Sequence, residues 1–103
     1  MVGPEIFSLA GRTSFVTGAA QGLGLDIPTG IAQAGARVVL ADLNGRAERA
    51  AQALRDAGHD ALGTDLDVRD EGAFERSFQS AADRCGGIHV LVNNAARTPS
   101  GSL

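Results

Sequence analysis

Thr13-Ser-Phe-Val-Thr-Gly-Ala-Ala-Gln-Gly-Leu-Gly24 joins a short apolar strand to a turn that has no side chains at positions 18, 22 and 24. Glycine at those points lets a bulky anion approach the backbone. The free N–H groups of a helix opening behind the turn face the same point. A second apolar run, Arg37-Val-Val-Leu-Ala41, follows at the spacing of a strand–helix–strand unit and closes on Asp42. Glycines alone are a weak signal. A glycine turn, a second strand and a terminal carboxylate in one such unit point to a dinucleotide, its pyrophosphate on the turn and its ribose on the acid.

Outward from this unit, strands and helices alternate behind an arm spanning residues 1–12. A first helix is expected over 23–34, where Leu23, Ile27 and Ile31 fall at helical spacing and Gly35 ends the run. A second is expected over 45–57. There Asn44 suits an N-cap, Ala47, Ala50, Ala51 and Leu54 form a narrow apolar stripe, and Gly58 suits the position just past the helix. The third strand reads as 61–65. Asp70 is placed to cap a third helix over 71–85, with Phe74, Phe78 and Ala82 inward, and Gly86-Gly87 break it before a fourth strand over 88–92. Strands separated by such helices need right-handed crossovers and a parallel sheet. The expected class is therefore α/β: the first four strands of a Rossmann-like, doubly wound sheet with flanking helices, in spatial order 3-2-1-4.

Composition narrows the partners. The 103 residues suffice for one domain, and 44% hydrophobic with 20% charged residues suits a globular chain. A net charge of −3 provides no basic field for nucleic acid or an anionic membrane. The single cysteine, Cys85, cannot form an internal disulfide. No leader pattern or membrane-length apolar run is present, so the expected setting is the cytoplasm. His59, His89 and Cys85 show no ligand spacing, and no metal site is expected. Arg46, Arg49 and Arg55 read as the solvated face of the second helix, paired loosely with Glu48 and Asp56.

With these residues in hand, the chain resembles the N-terminal part of a short-chain dehydrogenase/reductase. The matching pieces are Thr17-Gly-x-x-x-Gly-x-Gly24, Asp42 after the second strand, Asp67-Val68 after the third, and Asn93-Asn-Ala-Ala96 after the fourth. The resemblance implies that residues 1–103 are the N-terminal part of a single NAD(P)-binding domain. It assigns Gly18, Gln21, Gly22, Leu23 and Gly24 to the cofactor diphosphate and neighbouring ribose. It assigns Asp42 to the adenosine ribose hydroxyls, with Leu43 beside it in the cofactor-binding set. Asp67 and Val68 would flank the adenine, although Asp67 also reads as the start of the turn into Asp70. Asn93, Asn94 and Ala95 would line the nicotinamide-side ribose and brace the fourth strand. NAD is favoured over NADP. A 2′-phosphate beside Asp42 would meet like charge, on the order of 4 kcal/mol per charge pair at ~4 Å and an effective dielectric of ~20. Solvent screening and the nearby Arg46 would reduce that figure.

The resemblance also implies chemistry that these residues do not contain. The family moves hydride between nicotinamide and an alcohol or ketone, using a Tyr with a Lys four positions later, a Ser on the fifth strand and a further Asn. This sequence has no Tyr and no Lys, and Ser100 and Ser102 come before the place of the catalytic Ser. No catalytic residue is assigned. The reading is a cofactor-binding fragment whose small-molecule substrate belongs to a full-length parent. The alternative is a non-catalytic nucleotide-binding module or an inactive relic. Pro28 and Gly30 inside the first helix cost roughly 3 and roughly 1 kcal/mol, so that helix is expected to kink or begin late. Ala96 stands where the family usually has Gly. Without a fifth strand, the fourth is an open apolar edge that invites self-association.

Overall fold

The computed structural model describes residues 8–20, 23–67 and 69–94, with residues 23 and 24 as backbone only. Strands β1 (Thr13–Thr17), β2 (Arg37–Asp42), β3 (Ala61–Asp65) and β4 (Val90–Asn93) alternate with helices α1 (Leu23–Gln33), α2 (Arg46–Asp56) and α3 (Glu71–Cys85). They form one parallel sheet in the order β3-β2-β1-β4. This is the Rossmann-like α/β arrangement expected from the alternation of strands and helices. No helix among the described residues is long and apolar enough to cross a membrane.

All five residues of β1 are buried, because helices cover both faces of a central parallel strand. Alternation then divides the core in two. On one face Val16, Val38 and Leu40 pack with Ala32 of α1 and with Ala47, Ala51 and Leu54 of α2. On the other, Phe15, Val39 and Ala41 pack with α3. There Phe15 meets Phe74 edge-on at 5.9 Å and Phe78 at 5.4 Å between ring centroids. Full burial of Phe15 contributes on the order of 2–3 kcal/mol. The buried alanine of α3 is Ala81, one position before the expected Ala82, which is only half-buried.

Gly63 determines how closely α2 lies on the sheet. A Cβ there would stand 2.5 Å from Glu48 Cα and 2.6 Å from Glu48 N. The small residues on α2 and the missing side chain on β3 together bring helix and strand into backbone contact.

The helix ends follow the sequence with one correction. Asp70 caps α3 by accepting from Gly72 and Ala73 N–H groups at 3.1 and 3.2 Å. Gly58, at φ 95°, closes α2, with its own N–H on Arg55 O and His59 N–H on Leu54 O. Asn44 does not cap α2. Asn44 and Gly45 both take positive φ (57° and 76°), no side chain caps the helix, and Asp65 Oδ1 accepts the Gly45 N–H at 2.9 Å. Two left-handed residues in a row lead into α2, its first turn has no side-chain cap, and Asp65 of β3 holds the N–H of Gly45 just before it.

Two further expectations change. Helix α1 begins at Leu23 and runs through Pro28, so the late start does not occur. The Pro28 ring is fully buried, which offsets part of the lost hydrogen bond, and Thr29 Oγ1 donates to Leu25 O at 2.8 Å. Strand β4 begins at Val90 rather than residue 88. His89 Nδ1, instead of a strand carbonyl, accepts the Thr13 N–H at 3.0 Å, while His89 N–H donates to Thr13 O at 2.8 Å. The imidazole takes a ladder position, and regular pairing starts one residue later.

Candidate functional site

The register places the carboxyl ends of all four strands along one margin of the sheet: Thr17 beside Ala41, Thr17 beside Asn93, and Asp42 beside Asp65. Open α/β sheets bind ligands at this margin. Chain reversal after β1 starts at Gly18, whose φ of 62° is left-handed and favours glycine. Ala19 N–H then donates to Ala41 O at 3.4 Å, and Ala20 N–H to Asp42 Oδ2 at 3.0 Å. The glycine turn is thus tied to the acid at the end of the next strand.

The Asp42 carboxylate accepts three hydrogen bonds on this margin. Its side chain is only 10% exposed. Besides the Ala20 N–H on Oδ2, its Oδ1 accepts the Leu43 N–H at 2.7 Å and Arg46 Nη2 at 3.2 Å. Arg46 Nε also donates to Leu43 O at 3.2 Å, which holds the guanidinium over the acid. Arg46 is therefore not part of a free solvated face. Arg55 pairs with Glu48, as expected, and also donates to Ala61 O of β3 at 2.8 Å.

At the far end of the margin, Thr17 joins β1 to β4. Its buried hydroxyl donates to Asn93 Oδ1 at 2.9 Å and accepts the Asn94 N–H at 3.0 Å. Asn94 Nδ2 reaches Gly18 O at 3.4 Å, so both asparagines brace the start of the turn. Past β3, Leu66 N–H donates to Asp42 O at 2.9 Å and prolongs the ladder. Asp67 O accepts the Asp70 N–H at 3.0 Å, and Arg69 holds both Asp67 carboxylate oxygens, at 2.9 and 2.8 Å. That hydrogen bonding raises the pKa of the Arg69 guanidinium above its ordinary value. These contacts realise the turn-forming reading of Asp67.

Of the positions singled out in the sequence, Gly18, Asp42, Leu43, Asp67, Asn93 and Asn94 come together on this margin. Gln21, Gly22, Val68 and Ala95 lie outside the described residues, and Leu23 and Gly24 are described by their backbone helix assignment alone. Sequence reasoning set Arg46 near Asp42 without its bond to the acid, and missed the roles of Ala20, Arg69 and Thr17 as partners of the acids and asparagines. The Asp67-x-Arg69 spacing was a legible turn signal. The Ala20–Asp42 bond had no local signal. Among the described residues, no three His, Cys, Asp or Glu side chains could hold a metal ion. A separate cleft of about 280 Å³ opens at the amino ends of the strands, between Arg12, Arg37, Asp60 and Cys85. There Arg37 is paired with Asp60 at 2.7 Å, which together with Cys85 raises the pKa of its guanidinium.

Comparison with known proteins is consistent with this geometry. A family model described as short chain dehydrogenase matches residues 12–103. Hydroxysteroid dehydrogenase-like protein 2 of Xenopus tropicalis is 41% identical over 101 residues, covering 90% of this chain and 24% of that protein. Sorbitol dehydrogenase of Cereibacter sphaeroides is 41% identical over 88 residues, covering 85% and 34% respectively. The crystal structure of a hydroxysteroid dehydrogenase from Escherichia coli superposes with a TM-score of 0.86 at 29% identity, covering 91% of this chain and 40% of that one. The chain thus spans 24%, 34% and 40% of the length of these three proteins.

Proposed function

Since the chain belongs to the short-chain dehydrogenase family, we propose that its 103 residues form the N-terminal, NAD-binding part of an oxidoreductase. The whole protein would transfer hydride between nicotinamide and an alcohol or ketone. The observation that carries the reading is the bond between Ala20 N–H and Asp42 Oδ2. It sets the glycine turn and the acid side by side at the ends of adjacent central strands, where a diphosphate and its ribose need them.

On this reading Gly18, with Gln21, Gly22, Leu23 and Gly24, approaches the diphosphate. Asp42 and Leu43 hold the adenosine ribose, Asp67 and Val68 flank the adenine, and Asn93, Asn94 and Ala95 border the nicotinamide ribose. Bound nicotinamide supplies or accepts the hydride. This chain's residues orient the dinucleotide, and Asp42 gives a carboxylate to the ribose hydroxyls, which favours NAD over NADP. The Tyr and Lys of the family's proton transfer have no counterpart in a sequence that contains neither. That fact favours a second reading for the chain acting alone, a non-catalytic dinucleotide-binding module. The proposal includes a cytoplasmic setting and self-association through the β4 edge.

Calorimetric titration of the 103-residue chain with NAD and with NADP tests the assignment. Saturable binding of NAD, tighter than NADP, is the expected outcome. Equal affinity for both would end the NAD preference, and binding of neither would end the dinucleotide reading. Absence of turnover with NAD and a panel of secondary alcohols separates the module from a self-sufficient enzyme.

A further inference from the structure

Among the described residues the edge strand β4 pairs with β1 alone, over four residues. A side chain fastens it at each end. At the carboxyl end the Thr17 hydroxyl bonds Asn93 and Asn94. At the amino end the fastening is an imidazole. Thr13 is 5% exposed, and both its backbone groups turn to His89. Its C=O accepts the His89 N–H at 2.8 Å, and its N–H donates to His89 Nδ1 at 3.0 Å. An imidazole nitrogen accepts a hydrogen bond only while it carries no proton. Neutral His89 completes the pair, whereas charged His89 sets a second N–H against that of Thr13.

We infer that His89 is an acid-sensitive latch, which fastens the amino end of β4 to β1 while its ring is neutral and releases it on protonation. Among the described residues no carboxylate pairs with the ring. Arg12 precedes Thr13, and Arg37 stands opposite Thr13 on β2 with Asp60 on its guanidinium. In the last turn of α3, Asp83 is held by Gln79 at 2.8 Å, next to Arg84 and Cys85. No counter-charge is therefore bonded to the ring to offset the lost bond. The fold uses the neutral form, so this contribution is present at neutral pH. It disappears as the pH falls through the range in which histidines charge. Release leaves Thr17 as the remaining side-chain fastening of β4.

Urea unfolding of the full chain at about pH 7.5 and about pH 5 tests the latch. The chains compared are wild type, His89→Asn, His89→Ala and, for the other histidine, His59→Gln. Asparagine keeps an acceptor oxygen close to the ring nitrogen's place and does not titrate. On acidification the wild type is expected to lose about fivefold more of its folding equilibrium constant than His89→Asn, about 1 kcal/mol, the worth of one ordinary hydrogen bond. Carboxylates common to both cancel in that difference. His89→Ala is expected to be about fivefold weaker at neutral pH and to share the shallower pH dependence of His89→Asn. His59→Gln should follow the wild type. An equal acid loss in His89→Asn and wild type overturns the inference, as does its disappearance in His59→Gln. Proton–nitrogen NMR of the wild-type ring at neutral pH answers without any variant. A proton on Nε2 alone is expected, and a proton on Nδ1 ends the latch.

Discussion

The two edges of the sheet are built differently. At the β3 edge the backbone of α2 lies directly against Gly63, and Ala47, Ala51 and Ala61 are buried between them. At the β4 edge the strand is alternately half-buried and exposed, and Leu91 is 50% exposed. The closed side holds Asp42 among three donors. The open side holds Asn93 and Asn94 through Thr17 and Gly18 on the neighbouring strand. On the dinucleotide reading, the adenosine end of the site is thus set by packing, and the nicotinamide end depends on the β1–β4 junction. Packing density and site order run together because a side chain keeps its geometry only where its supporting backbone has nowhere else to go.

The closed edge should be the easiest to break. Gly63→Val forces a side chain into the backbone of α2, with an expected loss of about 3 kcal/mol in urea unfolding. A variant as stable as the parent would mean that α2 is not seated on β3. Asp42→Asn removes charge while keeping shape. A drop of tenfold or more in NAD affinity is expected by calorimetry, with a stability loss of about 1–2 kcal/mol, because the new amide NH2 must face either the Ala20 or the Leu43 N–H. An unaltered affinity would show that the acid holds the turn and not the ribose.

At the open edge the effects should be smaller. Thr17→Val leaves Asn93 Oδ1 and the Asn94 N–H without their shared partner and should cost about 1 kcal/mol in the same unfolding experiment. Leu91→Lys should change stability by less than about 0.5 kcal/mol. It should nevertheless shift the chain towards monomer in sedimentation velocity, because a lysine on an edge strand opposes pairing. A wild-type chain that sediments as a monomer at high concentration would remove the open-edge reading.

Much of the closed side was legible in the residues. Asp70 as a cap, Gly58 past α2 and the bounds of β3 and α3 depend on neighbours a few positions away, and the structure agrees with each. The misses share a cause. Asn44 looks like a cap until the left-handed turn and the reach of Asp65 are known. His89 falls inside the expected fourth strand until its ring accepts the Thr13 N–H, from a residue 76 positions away. Pro28 looks like a helix breaker until its ring is found fully buried inside α1.

Local pattern decided the order of strands and helices and the parallel sheet with its order β3-β2-β1-β4, and the family resemblance of the sequence added the gathering of Gly18, Asp42, Asp67 and Asn93 on one margin. Periodicity and glycine placement are properties of short stretches, and right-handed crossovers leave few ways to assemble them. Tertiary approach decided which atoms of those residues remain free. Ala20 and Arg46 converge on Asp42, Arg69 closes on Asp67, and Thr17 joins the two asparagines. A hydrogen bond needs its partners within about 3 Å, and only the packed chain brings them that close.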